Sequence, residues 1–251
     1  MHRALRAAAV ALVVPALAFV QAKQGVLREQ LLSSDQSISG RAIETVTRLE
    51  PNQVDDATRN ALIAVLQRER ARALHRTSST EDDMLGPVVR AIVRLHDPRF
   101  VPELAATLLI GPIVPKELAH HGDAAAVAVL ATLRKHDVML TERNDGLIAL
   151  RMIVELTPPT RLSTGTRQQI QVLAGQYLAR DAGLDEMGVL LTRAIDLAVV
   201  LGDPGLREIV RRIANDPAES AARGTVPSRI SFVQKRAADR LAGALPLPRP
   251  E

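Results

Sequence analysis

The sequence predicts an all-helical protein built from repeated helix pairs, and three observations support this fold class. Apolar residues recur at steps of three and four, as on one face of a helix with about 3.6 residues per turn. The 251 residues include no Trp, one Tyr and three Phe although 47% are hydrophobic, so aliphatic side chains must fill the core. Strands would favour more aromatic residues. The predicted second helices of successive pairs also start near Val54, Pro98, Asp123, Thr164 and Pro204, and three of these four steps are close to 40 residues, as in two-helix repeats.

The clearest helix pair lies between Met187 and Pro217, with its corner at residues 202–204. Gly202 can adopt the left-handed conformation that ends a helix. Asp203 can cap the next helix through its carboxylate. Pro204 suits the first helical position, because no N–H is needed there. These three residues can therefore end one helix and start the next.

The N-terminal part of the chain predicts a short helix over residues 23–34 and then a helix pair from Asp35 to Arg76. Asp35 or Ser37 can cap the first helix of that pair, and Pro51-Asn52 predicts its corner. A polar break at residues 77–80 ends the pair, and the next apolar stripe begins near Leu85.

Two further corners are similar to the one at residues 202–204. The residues that define them are Asp97, Pro98, Gly122 and Asp123. His96 stands where a glycine would be expected in the first of them. The unit between the two corners is short, because Pro112 and Pro115 leave room for at most two helical turns before the second.

Three more helices are predicted towards the C-terminus: Thr141–Leu156, a helix from Ser163 or Thr164 to Leu178, and Ile230–Leu241. Asn215–Ser228 predicts a loop. The last helix carries charged residues away from its apolar stripe, namely Lys235, Arg236, Asp239 and Arg240. A polar exterior of this kind suits a helix that caps a stack of repeats.

The first 22 residues have the pattern of a secretory signal peptide. A basic start precedes the apolar run Ala7–Val20, and cleavage is predicted after Ala22. The alternative is an uncleaved membrane anchor, but the run is shorter than the ~20 residues that a spanning helix needs. Cleavage leaves a repeat domain over residues 23–243 and a Pro-rich tail over residues 244–251. It predicts an exported protein, periplasmic or secreted, without a membrane span.

Charge and cysteine content exclude some classes of protein. The chain has no Cys, so it forms no disulfide and carries no lipoprotein anchor. Its net charge of +4 falls to +2 when the leader is removed with Arg3 and Arg6. A charge this small, without aromatic residues among the basic ones, does not favour a nucleic-acid partner.

Three segments together resemble the HEAT-like repeat family: Leu95–Leu104, His121–Ala125 and Leu201–Pro204. The family pattern is an apolar helix end, then Gly-Asp-Pro or Asp-Pro, then an apolar helix. The resemblance covers roughly Asp35–Asp216. It implies a right-handed α-solenoid of about five two-helix HEAT-like hairpins with a C-terminal capping helix. It also implies that the chain binds partners, usually proteins, and it carries over no catalytic residues.

One cluster has side chains of the metal-binding type: His120, His121, Asp123 and His136. Adjacent histidines on a helix point about 100° apart, and the His-Glu-x-x-His spacing is absent. The favoured interpretation is a polar helix end with a capping aspartate. A metal-binding or enzymatic site centred on His120, His121 and Asp123 remains the alternative.

Two other charged groups have a structural and a functional interpretation. Glu81, Asp82 and Asp83 lack the spacing of a calcium loop and are typical of the first turn of a helix. Arg68, Arg72 and Arg76 share a helix face. They form either a docking patch for an acidic partner or a solvated helix end that favours basic residues.

The sequence predicts a non-catalytic, exported scaffold that mediates protein–protein interaction and needs no cofactor. Phosphate-binding loops, Gly-x-Ser-x-Gly and Ser-x-x-Lys motifs are all absent from it. If the hairpins stack in register, polar residues of the second helices would line a groove, and the candidates are Arg167, Gln168, Gln171, Arg207 and Arg211. Besides the metal-binding or enzymatic alternative, the chain could be a structural subunit that stacks on copies of itself.

Overall fold

The structure is a computed structural model, and it describes residues 24–74, 83–108, 110–135, 137–180 and 187–243. All regular secondary structure in these ranges is helical, which confirms the predicted all-helical class. The chain divides into two compact units, residues 1–100 and 101–251.

The first unit contains four helices in its described part. They are α1 (residues 24–32), α2 (Gln36–Arg48), α3 (Asp56–Leu74) and α4 (Leu85–Leu95). Two short 3₁₀ turns, Pro51–Gln53 and Pro98–Phe100, follow α2 and α4. α4 packs against both α2 and α3. The largest fully buried side chains are aliphatic apart from Phe100, and include Leu31, Ile43, Leu62, Leu66 and Ile92.

Local capping explains where the helices of the first unit begin. The Asp35 carboxylate accepts hydrogen bonds from the backbone N–H groups of Ser37 and Ile38, at 2.8 and 3.3 Å. Asp55 accepts one from the N–H of Thr58 at 2.7 Å, just before α3. These bonds satisfy amide groups that have no acceptor inside the helix.

The acidic run ahead of α4 differs from its prediction. Asp83 lies before the helix, which begins only at Leu85, and its carboxylate accepts a hydrogen bond from the Leu85 N–H at 3.0 Å. The expectation that Asp83 occupies the first helical turn is therefore wrong. The helix starts later because the apolar stripe that packs on α2 and α3 itself begins at Leu85.

The corner after α4 uses a histidine where a glycine would be less strained. His96 has φ 48°, in the left-handed region, which costs an L-residue with a side chain roughly 1–2 kcal/mol. Asp97 then accepts a hydrogen bond from the Arg99 N–H at 3.0 Å. Pro98 begins a 3₁₀ turn, and the next α-helix starts at Val101.

The second unit contains nine helices among its described residues. They are α5 (Val101–Ala105), α6 (Ile113–His120), α7 (Gly122–Leu133), α8 (Leu140–Leu156), α9 (Thr164–Tyr177), α10 (Val189–Leu201), α11 (Pro204–Asn215), α12 (Pro217–Ala221) and α13 (Pro227–Leu241). Pro115, expected to interrupt the chain, lies in the first turn of α6, where proline is tolerated.

The helices of the second unit pack in two rows. In row A, α6 packs against α8, α8 against α10 and α10 against α13. In row B, α5 packs against α7, α7 against α9 and α9 against α11. Fully buried leucines come from both rows, for example Leu104, Leu118, Leu130, Leu147 and Leu150. Burying each such side chain contributes about 2 kcal/mol, so the paired rows form the core of this unit.

The corner between α10 and α11 has the local structure that its sequence predicts. Gly202 has φ 71°, in the left-handed region, and ends α10. The Asp203 carboxylate accepts a hydrogen bond from the Leu206 N–H at 2.9 Å, and Pro204 is the first residue of α11.

The predicted loop over Asn215–Ser228 is wrong, because this segment contains α12 and the start of α13. Two of its prolines, Pro217 and Pro227, stand at the starts of helices, where their fixed φ is favourable. The side chain of Arg223 is buried and donates to the backbone oxygen of Leu178 at 2.8 Å, at the end of α9.

A buried carboxylate holds α12 in place. Glu219 forms ion pairs with Arg180 and, at 2.6 Å, with Arg223. Hydrogen bonds from the side chains of Arg180 and Arg223 lower the pKa of Glu219 to about 2. The segment is thus ordered by two arginine contacts, one of which comes from a residue far away in the sequence.

Some predicted features lie outside the described residues. These are the signal peptide 1–22, the tail 244–251, and the candidate residues Arg76, Glu81, Asp82 and His136. Among the helices that are described, none combines the length and the apolar content that a membrane span requires.

Candidate functional site

A cleft of about 520 Å³ lies between two corners of the second unit. Residues 119–124, where α6 meets α7, line one side. Residues 156–158 and Arg161, which connect α8 to α9, line the other side. The cleft has the size of a typical small-molecule site, roughly 300–1,000 Å³, and it contains the His120, His121 and Asp123 cluster predicted from the sequence.

Gly122 allows the two corners to approach each other. Its φ of 55° lies in the left-handed region, and a Cβ atom there would lie 3.4 Å from the side chain of Thr157. Thr157 is the residue that ends α8, where its N–H donates to the Ile153 oxygen at 2.9 Å. A larger residue at position 122 would strain the backbone and press on the opposite corner.

His121 is held by a buried carboxylate one turn earlier in α6. Its Nε2 lies 2.9 Å from Glu117 Oε1, and the Glu117 side chain is almost completely buried. This contact fixes the orientation of the imidazole. His120, by contrast, is exposed.

Asp123 has a different role from the one predicted. It lies in the first turn of α7, and His121 is the residue before that helix, without a side-chain cap. The reason is that a single residue separates α6 from α7, which leaves no room for Asp123 ahead of the helix. Its Oδ1 instead accepts a hydrogen bond from the Ser163 N–H at 2.9 Å. This bond lowers the pKa of Asp123.

The residues that the structure describes contain no group of three or more His, Asp or Glu side chains arranged to hold a metal ion. His136, the fourth member of the predicted cluster, lies outside these residues.

The outward face of α7 in row B is apolar. Ala124, Val127 and Ala131 follow one another at helical spacing and are exposed, Val127 to 51%. The opposite face of α7 is also apolar and is buried in the core. A helix that is apolar on all sides is normally buried all round, so the outward face of α7 is unusual.

The next helix of row B also exposes an apolar residue. Val172 of α9 is 58% exposed and stands between Gln168 and Gln176, which are also exposed. α7 and α9 pack against each other, and Arg134 donates to Gln169 Oε1 across them at 2.9 Å. We call Ala124, Val127, Ala131, Gln168 and Val172 the row B surface.

The five predicted groove residues fall in different environments. Arg167 is half-buried and donates to the backbone oxygen of Leu201 at 2.6 Å, at the end of α10. Gln168 is exposed on α9, and Gln171 is half-buried there. Arg207 and Arg211 are exposed on α11, where Arg211 pairs with Glu208.

The basic run of α3 is held by contacts inside the first unit. Arg68 donates to the backbone oxygen of Ser33 at 2.9 Å and to Ser39 Oγ at 3.2 Å. Arg72 pairs at 3.0 Å with Glu69, whose side chain is buried. Arg68 thus donates a hydrogen bond at the C-terminal end of α1. Neither the docking patch nor the solvated helix end predicted from the sequence includes this role.

Sequence reasoning missed a buried ion cluster that joins α10 to α13. Asp196 is 1% exposed and accepts hydrogen bonds from Arg236 at 3.0 and 2.7 Å and from Arg240 at 2.7 Å. The prediction that Arg240 lies on a polar exterior is therefore wrong. The one signal in the sequence was the spacing of Arg236 and Arg240, which puts both on one face of the helix.

Nearby on α8, Arg151 and Glu155 are also largely buried, with Arg151 Nε 3.8 Å from Glu155 Oε2. Burial lowers the pKa of Arg151 and raises that of Glu155.

Comparison of the chain with protein-family models, with curated proteins and with solved structures finds no match.

Proposed function

We propose that this chain is a helical-repeat scaffold of the HEAT-like, α-solenoid type that binds a protein partner and catalyses no reaction. The stepwise packing within row A and within row B supports this fold. Contacts at a repeat-like spacing support it too, since hydrogen bonds join residues between 34 and 45 positions apart in the second unit. A repeat of about 40 residues would place equivalent helices next to each other in this way.

The observation that carries the proposed function is the apolar row B surface. Val127 and Val172 expose about half of their side chains on neighbouring helices. Single exposed apolar residues are common on protein surfaces, whereas adjoining ones on a helix that is apolar on all sides favour a binding surface. A partner helix or strand would cover these side chains and remove them from water.

The charge of row B indicates what kind of partner fits. Helices α5, α7, α9 and α11 contain three acidic residues, Glu103, Asp123 and Glu208, and four arginines, Arg167, Arg207, Arg211 and Arg212. Asp123 is bonded to Ser163, Arg167 to Leu201 and Glu208 to Arg211, whereas Arg207 and Arg212 are exposed on α11. The partner is therefore an acidic amphipathic protein segment, with apolar residues for the row B surface and carboxylates for the arginines.

The proposal is tested by capturing partners from a cell-envelope fraction with the mature chain and with charge variants. Val127→Glu and Val172→Glu place an acid in the row B surface and should abolish capture. Leu140→Glu is the matched control, because Leu140 is similarly exposed at the start of α8. Capture should also weaken in high salt, since exposed charge pairs are screened.

Three results contradict the proposal. One is a partner that binds the Val127→Glu and Val172→Glu variants as well as the unchanged chain. Another is capture of the chain itself alone, which supports a self-associating subunit. A third is a nucleic acid as the bound species. Thermal melting of each variant checks that loss of capture is not loss of folding.

Export forms part of the same proposal, supported by the leader pattern over residues 1–22. The intact mass of the protein recovered from the envelope tests it. A mass that begins at Lys23 is expected, and a mass that includes Met1–Ala22 contradicts cleavage.

A further inference from the structure

We propose that the corner cleft binds a small organic anion, a carboxylate or phosphate attached to a short apolar body. This site shares Ala124 with the row B surface but has its own charged and imidazole side chains, so the inference does not depend on the proposed protein partner. The observations that carry it are the volume of the cleft, the basic side chains that converge on it from two corners, and the position of its single carboxylate.

Basic groups enter the cleft from both sides. His120 and His121 come from the corner between α6 and α7, and Arg161 comes from the turn between α8 and α9. Arg161 is exposed, and a guanidinium supplies positive charge and five N–H donors. Such a group on one side of the cleft and imidazoles on the other suit an anion as ligand.

The acidic groups near the cleft are bonded to other groups of the protein. Asp123 is the one acid among the described residues that line the cleft, and its Oδ1 is occupied by the Ser163 N–H at 2.9 Å. That bond directs the carboxylate towards the start of α9. Glu117 is buried behind His121 and holds its Nε2 at 2.9 Å, so it orients the imidazole.

The first turn of α7 adds to the attraction for an anion. Gly122, Asp123 and Ala124 line the cleft and begin this helix, and no side chain caps it. The amide N–H groups of a first turn have no acceptor within their own helix.

The apolar part of the cleft wall indicates the rest of the ligand. Leu156 exposes nearly half of its side chain there, and Ala119 and Pro158 line the same cleft. An anion without carbon atoms would leave this surface in water, whereas a short alkyl body would cover it. Inorganic phosphate should therefore bind, but more weakly than an alkyl carboxylate or phosphate.

The test uses the full chain, with NMR of the histidine imidazoles as the readout. The chain has six histidines, and His120→Gln and His121→Gln variants assign the two signals of interest. Sodium butyrate should shift these two signals in a saturable way, and inorganic phosphate should do so at higher concentration. Butylammonium chloride and n-butanol have the same alkyl body without the negative charge and should leave both signals unchanged. Sodium chloride keeps the ionic strength constant.

Arg161→Gln should raise the dissociation constant for butyrate about tenfold or more, because a charge-assisted hydrogen bond is lost. Arg207→Gln is the matched control, since Arg207 is an equally exposed arginine on α11 that does not line the cleft. It should bind butyrate like the unchanged chain. Both arginines lie at the surface, so neither change should alter the melting temperature.

A second arm of the experiment distinguishes the source of the anion. A short peptide that ends in leucine is compared with its amidated form and with butyrate. Tighter binding of the free-acid peptide than of butyrate assigns the cleft to a chain terminus, and the reverse order assigns it to a small acid. Absence of saturable shifts with every anion, or equal affinity of the Arg161→Gln variant, would overturn the proposal.

Discussion

Replacing Asp196 by alanine should destabilise the second unit more than any exposed charge change on the same helices. Asp196 is 1% exposed and accepts three hydrogen bonds, two from Arg236 and one from Arg240. The Arg240 side chain is only 6% exposed and the Arg236 side chain 25%. Without Asp196, Arg240 would keep a buried charge without this partner, while Arg236 could regain water.

The magnitude follows from the degree of burial of the two arginines. Removing one partner of a buried ion pair costs about 3–5 kcal/mol. Because Arg236 is partly exposed, a value near the lower end, about 3 kcal/mol, is expected for Asp196→Ala. For a chain of this length each kcal/mol lowers the melting temperature by about 2–4 °C. The expected decrease is therefore roughly 6–12 °C.

Circular dichroism during heating and in urea measures this change, and hydrogen exchange locates it. Amides of α13 should exchange faster in Asp196→Ala, because Asp196 holds that helix against α10. Asp239→Ala is the control, since Asp239 pairs with an exposed lysine, Lys235, at 2.8 Å on α13. An exposed pair contributes about 1 kcal/mol or less. The reasoning is refuted if Asp196→Ala and Asp239→Ala have the same stability, or if exchange in α13 does not change.

Three further predictions concern close packing, pH and helix capping. Gly146→Ala should lower the free energy of unfolding by about 1–3 kcal/mol, because the added Cβ would lie 2.7 Å from a buried leucine side chain. Gly165→Ala, in the open first turn of α9, should leave the free energy of unfolding unchanged or raise it. Urea unfolding of both variants measures this difference. The pKa of Glu219 is lowered to about 2 from 4.5, so its contribution to stability is present above pH 4.5 and is lost as the pH falls towards 2. Urea unfolding across that pH range should show this loss in the unchanged chain and a flatter profile in Glu219→Gln; parallel profiles would contradict it. Arg167→Gln should lower the free energy of unfolding by about 1 kcal/mol, since it removes the hydrogen bond at the end of α10, and an unchanged value would exclude that capping role.

Features that depend on neighbouring residues in the chain could be predicted from the sequence. The helical class follows from the spacing of apolar residues, and Asp35, Ser163 and the corner at residues 202–204 act on groups within three positions of themselves. The prediction of a loop at residues 215–228 rests on the same local rules and is wrong. Proline is typical of loops, but it is also favoured in the first turn of a helix, where Pro217 and Pro227 lie.

The candidate site was predicted in part. The sequence brought His120, His121 and Asp123 together as one cluster, and all three line the cleft. Arg161 on the opposite side could not be found in this way, because it lies 40 positions from His121 and lines the same cleft only where two corners of the fold adjoin. The apolar residues of α7 were visible in the sequence, but their exposure depends on which helices cover them.

Most helices, their apolar stripes and the chemistry of several helix ends therefore follow from the sequence, because these features depend on atoms a few residues apart. The tertiary structure alone decided the roles of the charged side chains. Asp123, Arg167 and Asp196 each have partners 34 to 44 positions away. Charged residues on a helix face have the same spacing in the sequence whether they contact water or a neighbouring helix. Only the packing of the rows settles whether Asp196 is an exposed acid or the buried centre of an ion cluster.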